Sequence, residues 1–276
     1  MKKKGTLGAL AASPHIVWSA LFIVVPLIFV AYYALTDEAG HFSLSNLGSV
    51  LINGTYMATL GRSLVYALVA TAVCLLVAYP LAYALSRMRV RLQSLFVMLV
   101  MLPMWTNFLI RTYTLSQILE KNGIINSILG FFGLDAITFL GTPAAVVFGM
   151  VYNYLPYMVL PIYSVLVKLD TRLIEAANDL GCNSFQTLTR VVLPLSVSGI
   201  VSGVTMVFVP SVSTFYISQA MSNRTITLFG DVIEYQFKGV SNYHVGAVLS
   251  AILMVLVLIS MWVMNRFGDE SEGVIA

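Results

Sequence analysis

Apolar residues in this chain come in long unbroken runs, not in the every-second pattern of a strand that is buried on one face. A hydrocarbon core of about 30 Å takes about 20 residues in helical form, and six runs approach or exceed that length. They extend over Ile16–Leu35, Ser63–Leu85, Gln93–Ile110, Pro143–Val167, Val191–Gln219 and Val245–Asn265, and none holds an Asp, Glu, Lys or Arg. Strands of a membrane barrel alternate with a period of two, which these runs do not. The pattern predicts an all-α membrane protein with six transmembrane helices.

The segments between the runs carry the polar pattern. Residues 111–142 hold Leu115, Ile118, Leu119, Ile124, Ile125, Ile128 and Leu129 at helical spacing, interrupted by Asn122-Gly123. This predicts a pair of short amphipathic helices on the outer surface. They would serve either as an interfacial anchor or as a docking surface for an outside protein.

Composition supports a membrane class and excludes others. Of 276 residues, 59% are hydrophobic and 10% charged, against about 25% charged in soluble domains. A net charge of +3 is too small to point to nucleic acid. Lys2, Lys3 and Lys4 precede the first run, but that run is longer than the apolar core of about 7–15 residues in a cleaved signal. An uncleaved first helix is expected, in contact with membrane lipid.

Basic residues set the orientation. With six spans, one side holds Lys2, Lys3, Lys4, Arg87, Arg89, Arg91, Lys168, Arg172, Arg190 and Arg266. The other holds Arg62, Arg111, Lys121, Arg224 and Lys238. The richer side, with both termini, is expected to be cytoplasmic. The chain then divides into a basic N-terminus (1–14), a six-helix domain (15–265) and a cytoplasmic tail (266–276) with Asp269, Glu270 and Glu272.

The longest cytoplasmic connection, residues 168–190, reads as helix, turn, helix. Asp170 or Thr171 can cap the first helix, and Leu173, Ala176, Ala177 and Leu180 form its apolar stripe. Gly181 stands where a helix stops in the left-handed region. Ser184 can cap the second helix, which runs as a continuous lever into the fifth span, with Pro194 loosening it about one turn inside the membrane. Such a helix either inserts into a partner's groove or lies on the membrane surface.

The residues from Glu175-Ala-Ala-Asn-Asp-Leu-Gly181 to Val191-Val-Leu-Pro194 resemble the coupling motif of ABC importer permeases. That motif is E-A-A, three residues, G, nine residues, I, any residue, L-P, and it departs here only in Val191. The resemblance covers about residues 62–262. It is nearest to the permeases of spermidine and putrescine importers through Leu102–Tyr113, Thr142–Tyr152 and Pro210–Met221. It implies the type I importer permease fold in a bacterial inner membrane. Glu175, Ala176, Ala177, Gly181, Leu193 and Pro194 would then couple the chain to ATPase subunits. A second, similar permease and an external binding protein are the other implied partners. Permeases for ferric iron, sulfate or molybdate share the motif, so the cargo class stays open.

A substrate route between two permeases, also implied by the resemblance, would draw on polar and aromatic residues at membrane depth. Trp105, Thr106, Asn107, Asn153, Tyr154, Phe215 and Tyr216 are the candidates. Interfacial or packing roles compete for the aromatics, and interhelical hydrogen bonds compete for Asn107 and Asn153. No carboxylate lies inside a run. Asp37, Glu38, Asp231 and Glu234 fall in outer segments, where they either attract cations or, as the default reading, are solvated loop charges.

Enzyme chemistry is not indicated. No Gly-x4-Gly-Lys-Ser/Thr phosphate loop is present, so ATP is expected to bind the partner subunit and no cofactor this chain. His15, His41 and His244 lack metal-ligand spacing, and Cys74 and Cys182 have no spaced partner. An ion-driven secondary transporter would show intramembrane carboxylates or inverted repeats, and neither is visible.

Overall fold

The computed structural model describes residues 13–37 and 39–272. The basic head with Lys2, Lys3 and Lys4, Glu38, and residues 273–276 lie outside them. Among the described residues every extended element is helical, and a single isolated β-bridge joins Thr36 and Phe42.

Four helices are long and apolar enough to cross a bilayer unaided: α1 (Ser13–Leu35), α3 (Gly54–Ser86), α7 (Pro143–Leu166) and α13 (Tyr243–Glu272). Between α1 and α3 lies the short α2 (Ser45–Ile52). Two further spans are bent pairs, which brings the total to six if each pair counts once.

The third span was expected as a continuous helix, Gln93–Ile110, and is not one. Helix α4 (Val90–Met101) tightens into a 3-10 turn, Leu102–Trp105, and α5 (Phe108–Leu119) leaves at 95°. The cause is local. Pro103 has no N–H to continue the ladder, and the Asn107 side chain accepts the N–H groups of Leu109 and Ile110 at 2.9 and 3.2 Å. A capped N-terminus starts a new helix there. Beyond α5, the chain breaks at Gly123 and resumes as α6 (Ile124–Phe131), the pair of short helices that the spacing predicts.

The fifth span is broken too, which corrects the continuous lever. After α8 (Thr171–Asp179), helix α9 (Ser184–Leu195) contains a π-turn over Leu188–Val192, and the Leu193 N–H reaches the Leu188 carbonyl. Pro194 offers no N–H, and two residues later Ser196 leaves helical geometry, with its N–H on Leu193 O at 3.1 Å. Helix α10 (Val197–Ser213) departs at 70°. A further break at Thr214-Phe215 precedes α11 (Tyr216–Ser222), so the expected run to Gln219 is split again.

Two compact units result. The larger comprises residues 58–231 and 257–272 of the described chain. In it, Ala70, Cys74, Ala78 and Ala82 of α3 are fully buried at every fourth position, one line along the helix. Helices in lipid gain little from apolar burial and associate through small residues that admit close backbone approach. Gly199 and Gly203 of α10 do this against α7: a methyl group would lie 2.9 Å from the Pro161 carbonyl oxygen or 2.7 Å from Met158 Sδ. Gly149 of α7 receives α11 the same way, 2.7 Å from Met221 Cγ.

Asp231, at the start of α12 (Phe229–Tyr235), is not a solvated loop charge. It is 8% exposed and accepts from Ser218 Oγ at 2.7 Å, Gln219 Nε2 at 3.1 Å and the Leu228 N–H at 2.7 Å. Ser63 Oγ of α3 accepts the Phe229 N–H at 2.7 Å, so the helix start is satisfied from two sides.

The smaller unit comprises residues 13–57 and 232–256 of the described chain. Asn46 Nδ2 donates to Thr36 O at 3.1 Å, and His244 Nδ1 lies 3.0 Å from Tyr33 O. Gly246 sits under the Phe237 ring, 3.0 Å from where a Cβ would stand.

Candidate coupling and translocation sites

Helix α8 begins where Asp170 accepts the Arg172 N–H at 3.0 Å, which decides between the two candidate caps. It ends at Gly181, with φ of +85°. There the Cys182 N–H returns to Ala177 O at 3.0 Å and the Gly181 N–H to Asn178 O at 2.9 Å. This pair of bonds closes a helix through a left-handed residue.

Asn183, rather than Ser184, caps the next helix. Its side chain accepts the Gln186 N–H at 2.8 Å, while Gln186 Oε1 accepts the Asn183 N–H at 3.0 Å, a reciprocal capping box. Thr187 Oγ1 donates to Asn178 Oδ1 at 3.2 Å and ties the two helices together.

The expected apolar stripe on α8 is covered along one edge and open along the other. Ala177 is buried and Ile174 packs on the core, whereas Leu173, Ala176 and Leu180 face outward. With Leu180 86% exposed and Phe185 72% exposed, the turn presents an uncovered apolar edge, and Glu175 is exposed on α8 as well. Leu193 and Pro194 are exposed on α9, and the buried Ser196 hydroxyl lies 2.9 Å from Tyr79 Oη of α3. That contact braces the 70° bend.

The path candidates fall into one cluster and two outliers. Trp105, 71% exposed, ends the 3-10 turn; Thr106 and Asn107 form the break. Asn153 of α7 is fully buried, its amide donating to Gly149 O at 2.8 Å. Its Oδ1 accepts from Arg111 Nε at 2.9 Å, an interhelical bond, and lies 3.4 Å from Thr112 Oγ1. Arg111 also donates through Nη1 to the Pro103 carbonyl and lies over the Phe108 ring, 6.0 Å from its centroid. Phe108 in turn faces Tyr216, with ring centroids 6.3 Å apart. Tyr154 directs its hydroxyl at Pro210 O at 3.4 Å, away from the Asn153 bonds, and Phe215 is exposed at the break before α11.

The bonding roles of Arg111, Asn178, Asn183, Ser196 and Tyr79 escaped the sequence reading. Asn183 could have been found as the first half of an Asn-x-x-Gln capping box. Arg111 and Tyr79 could not, because their partners lie far along the chain.

Among the described residues, four apolar helices and two bent pairs, with a capped helical loop that carries an outward apolar edge, define a polytopic membrane protein. The chain belongs to the family described as the binding-protein-dependent transport system inner membrane component, which matches residues 74–269. It is 37% identical over 257 residues to the spermidine/putrescine transport system permease protein PotB of Haemophilus influenzae, covering 90% of each chain. To the Escherichia coli K12 protein of the same name it is 36% identical over 264 residues, covering 92% of this chain and 96% of that one. A chain in the crystal structure of a bacterial alginate ABC transporter, in complex with alginate pentasaccharide-bound periplasmic protein, superposes with a TM-score of 0.82. The match covers 97% of this chain and 96% of that one at 15% identity, a likeness of fold. The membership read from Glu175 to Pro194 and the six-span permease fold are thereby borne out.

Proposed function

We propose that this chain is the transmembrane permease subunit of an ATP-driven importer of polyamines, with spermidine and putrescine as the cargo class. The kinship of about 37% over nine-tenths of the chain to permeases named for that cargo carries the reading. The chain hydrolyses no ATP itself. Separate ATPase subunits engage the outward edge of the loop 168–190 on the cytoplasmic side, where the excess of basic residues and both termini also lie. A second, similar permease completes the path, and an external binding protein delivers the cargo.

Mechanistically, ATP-driven closure of the ATPase pair moves α8, and the motion passes through α9 to the braced bend at Ser196. The cavity alternates between outward and inward access. A flexible polycation needs weak successive contacts so that it is not trapped. Aromatic faces such as Trp105 and Tyr216 supply about 0.5–2 kcal/mol each by cation–π attraction, and selection is left to the binding protein.

The test is reconstitution of the four-component complex in proteoliposomes. Labelled spermidine uptake is expected to need ATP and binding protein, and to be competed by putrescine but not by ferric iron or sulfate. Uptake without the ATPase, or competition by sulfate alone, would overturn the assignment.

A further inference from the structure

The guanidinium of Arg111 joins three elements that the sequence keeps apart. It sits on the first turn of α5, reaches back across the 95° bend to the Pro103 carbonyl, and reaches sideways to Asn153 Oδ1 on α7. Pro103 O also receives the Thr106 hydroxyl at 2.7 Å, so the terminal carbonyl of the 3-10 turn is gathered by donors from beyond the break. Asn153 cannot turn away, because its amide is held by Gly149 O inside the bundle. Among the described residues no carboxylate pairs with Arg111. Its charge is met by two oriented oxygens and by the Phe108 ring. A planar guanidinium with donors on separate edges suits this bridging. A loop charge in solvent would need none of it.

On the far side of the same break is Trp105, with its indole exposed, followed by Thr106 and Asn107. We infer that Arg111 is a positioning residue for transport: it clamps the broken third span onto the fourth and so fixes the Trp105–Asn107 turn that meets the cargo. The inference rests on the importer reading for what the turn meets, and on geometry alone for the clamp.

The test uses Trp105 as a reporter in the full chain carrying Trp18→Phe and Trp262→Phe. In that background Arg111→Met, Arg111→Lys and the control Arg62→Met are compared, with anisotropy read on the purified full chain, where Trp105 is then the sole tryptophan, and uptake read on the complete transporter. Arg111→Met is expected to lower Trp105 fluorescence anisotropy and raise the KM for spermidine uptake about tenfold, the scale of one charge-assisted hydrogen bond, with little change in maximal rate. Lys should restore part of both, since one ammonium can serve one of the two acceptors, and Arg62→Met should change neither. Should Arg111→Met not assemble, Arg111→Lys and Asn153→Leu report on the same two bonds. Unchanged Trp105 anisotropy in the Arg111 variants overturns the clamp, whatever happens to uptake. A loosened Trp105 with wild-type KM overturns its role in transport. If the unaltered complex takes up no polyamine, the cargo reading fails, and the anisotropy alone decides whether Arg111 holds the turn.

Discussion

At Gly181 the backbone turns through φ of +85°, and a methyl group added there would meet nothing within 4 Å. Any cost of Gly181→Ala is therefore torsional, about 1–2 kcal/mol for a side chain held in the left-handed region, and Gly181→Asn should recover much of it. Thermal unfolding in detergent is expected to rank Gly, Asn and Ala in that order, with binding-protein-stimulated ATP hydrolysis following the same rank. Asp231 makes the opposite kind of demand. Three donors converge on its carboxylate, so Asp231→Leu strands them and should cost about 2–4 kcal/mol, more than Asp231→Asn, which keeps one acceptor oxygen. Denaturant titration of the two variants checks this. Gly181 was legible because a lone glycine after a helical stretch has few other uses. Asp231 was not, because a carboxylate in a connecting segment looks the same in sequence whether it is solvated or surrounded.

Among the elements, the spans that could be read most directly were the ones without an internal cap. Helices α1, α3, α7 and α13 follow their apolar runs, although α13 continues past Asn265 to Glu272. The third and fifth runs failed as straight helices because hydrophobicity sets where a chain may enter lipid and says nothing about where it bends. Asn107 and Ser196 decide that, one by capping a new helix and the other by leaving helical geometry behind Pro194. Close packing of α10 on α7 depends on Gly203, where even a methyl group would stand 2.7 Å from Met158 Sδ. Gly203→Leu should over-pack this contact and cost about 1–3 kcal/mol. Gly61→Ala, with nothing within 4 Å of the added carbon inside α3, should hold or raise the melting temperature, since alanine favours the helix by up to about 1 kcal/mol. Differential scanning fluorimetry of the two variants distinguishes a packing requirement at Gly203 from a general intolerance of substitution.

For the whole molecule, function depends on surfaces that a single chain leaves uncovered. The motif from Glu175 to Pro194 marked the loop in sequence, yet it gave no sign of how far the stripe is covered, since Leu173, Ala177 and Leu180 share one helical face and of the three Ala177 alone is buried. Leu180 and Phe185 bracket the Gly181 turn and are the most exposed large apolar side chains of that loop. Neither supports the fold, because each has most of its surface in solvent. Leu180→Glu with Phe185→Glu should therefore leave helicity, detergent size-exclusion profile and melting temperature close to wild type, as surface substitutions usually do within about 0.5 kcal/mol. An apolar edge buried against an ATPase subunit would behave differently, because two carboxylates would have to be desolvated on docking. Co-purification of the ATPase subunits with the tagged permease is expected to fall at least tenfold, and ATP-dependent spermidine uptake with it. Full recovery of the ATPase from the double variant would show that the partner seats elsewhere on the chain.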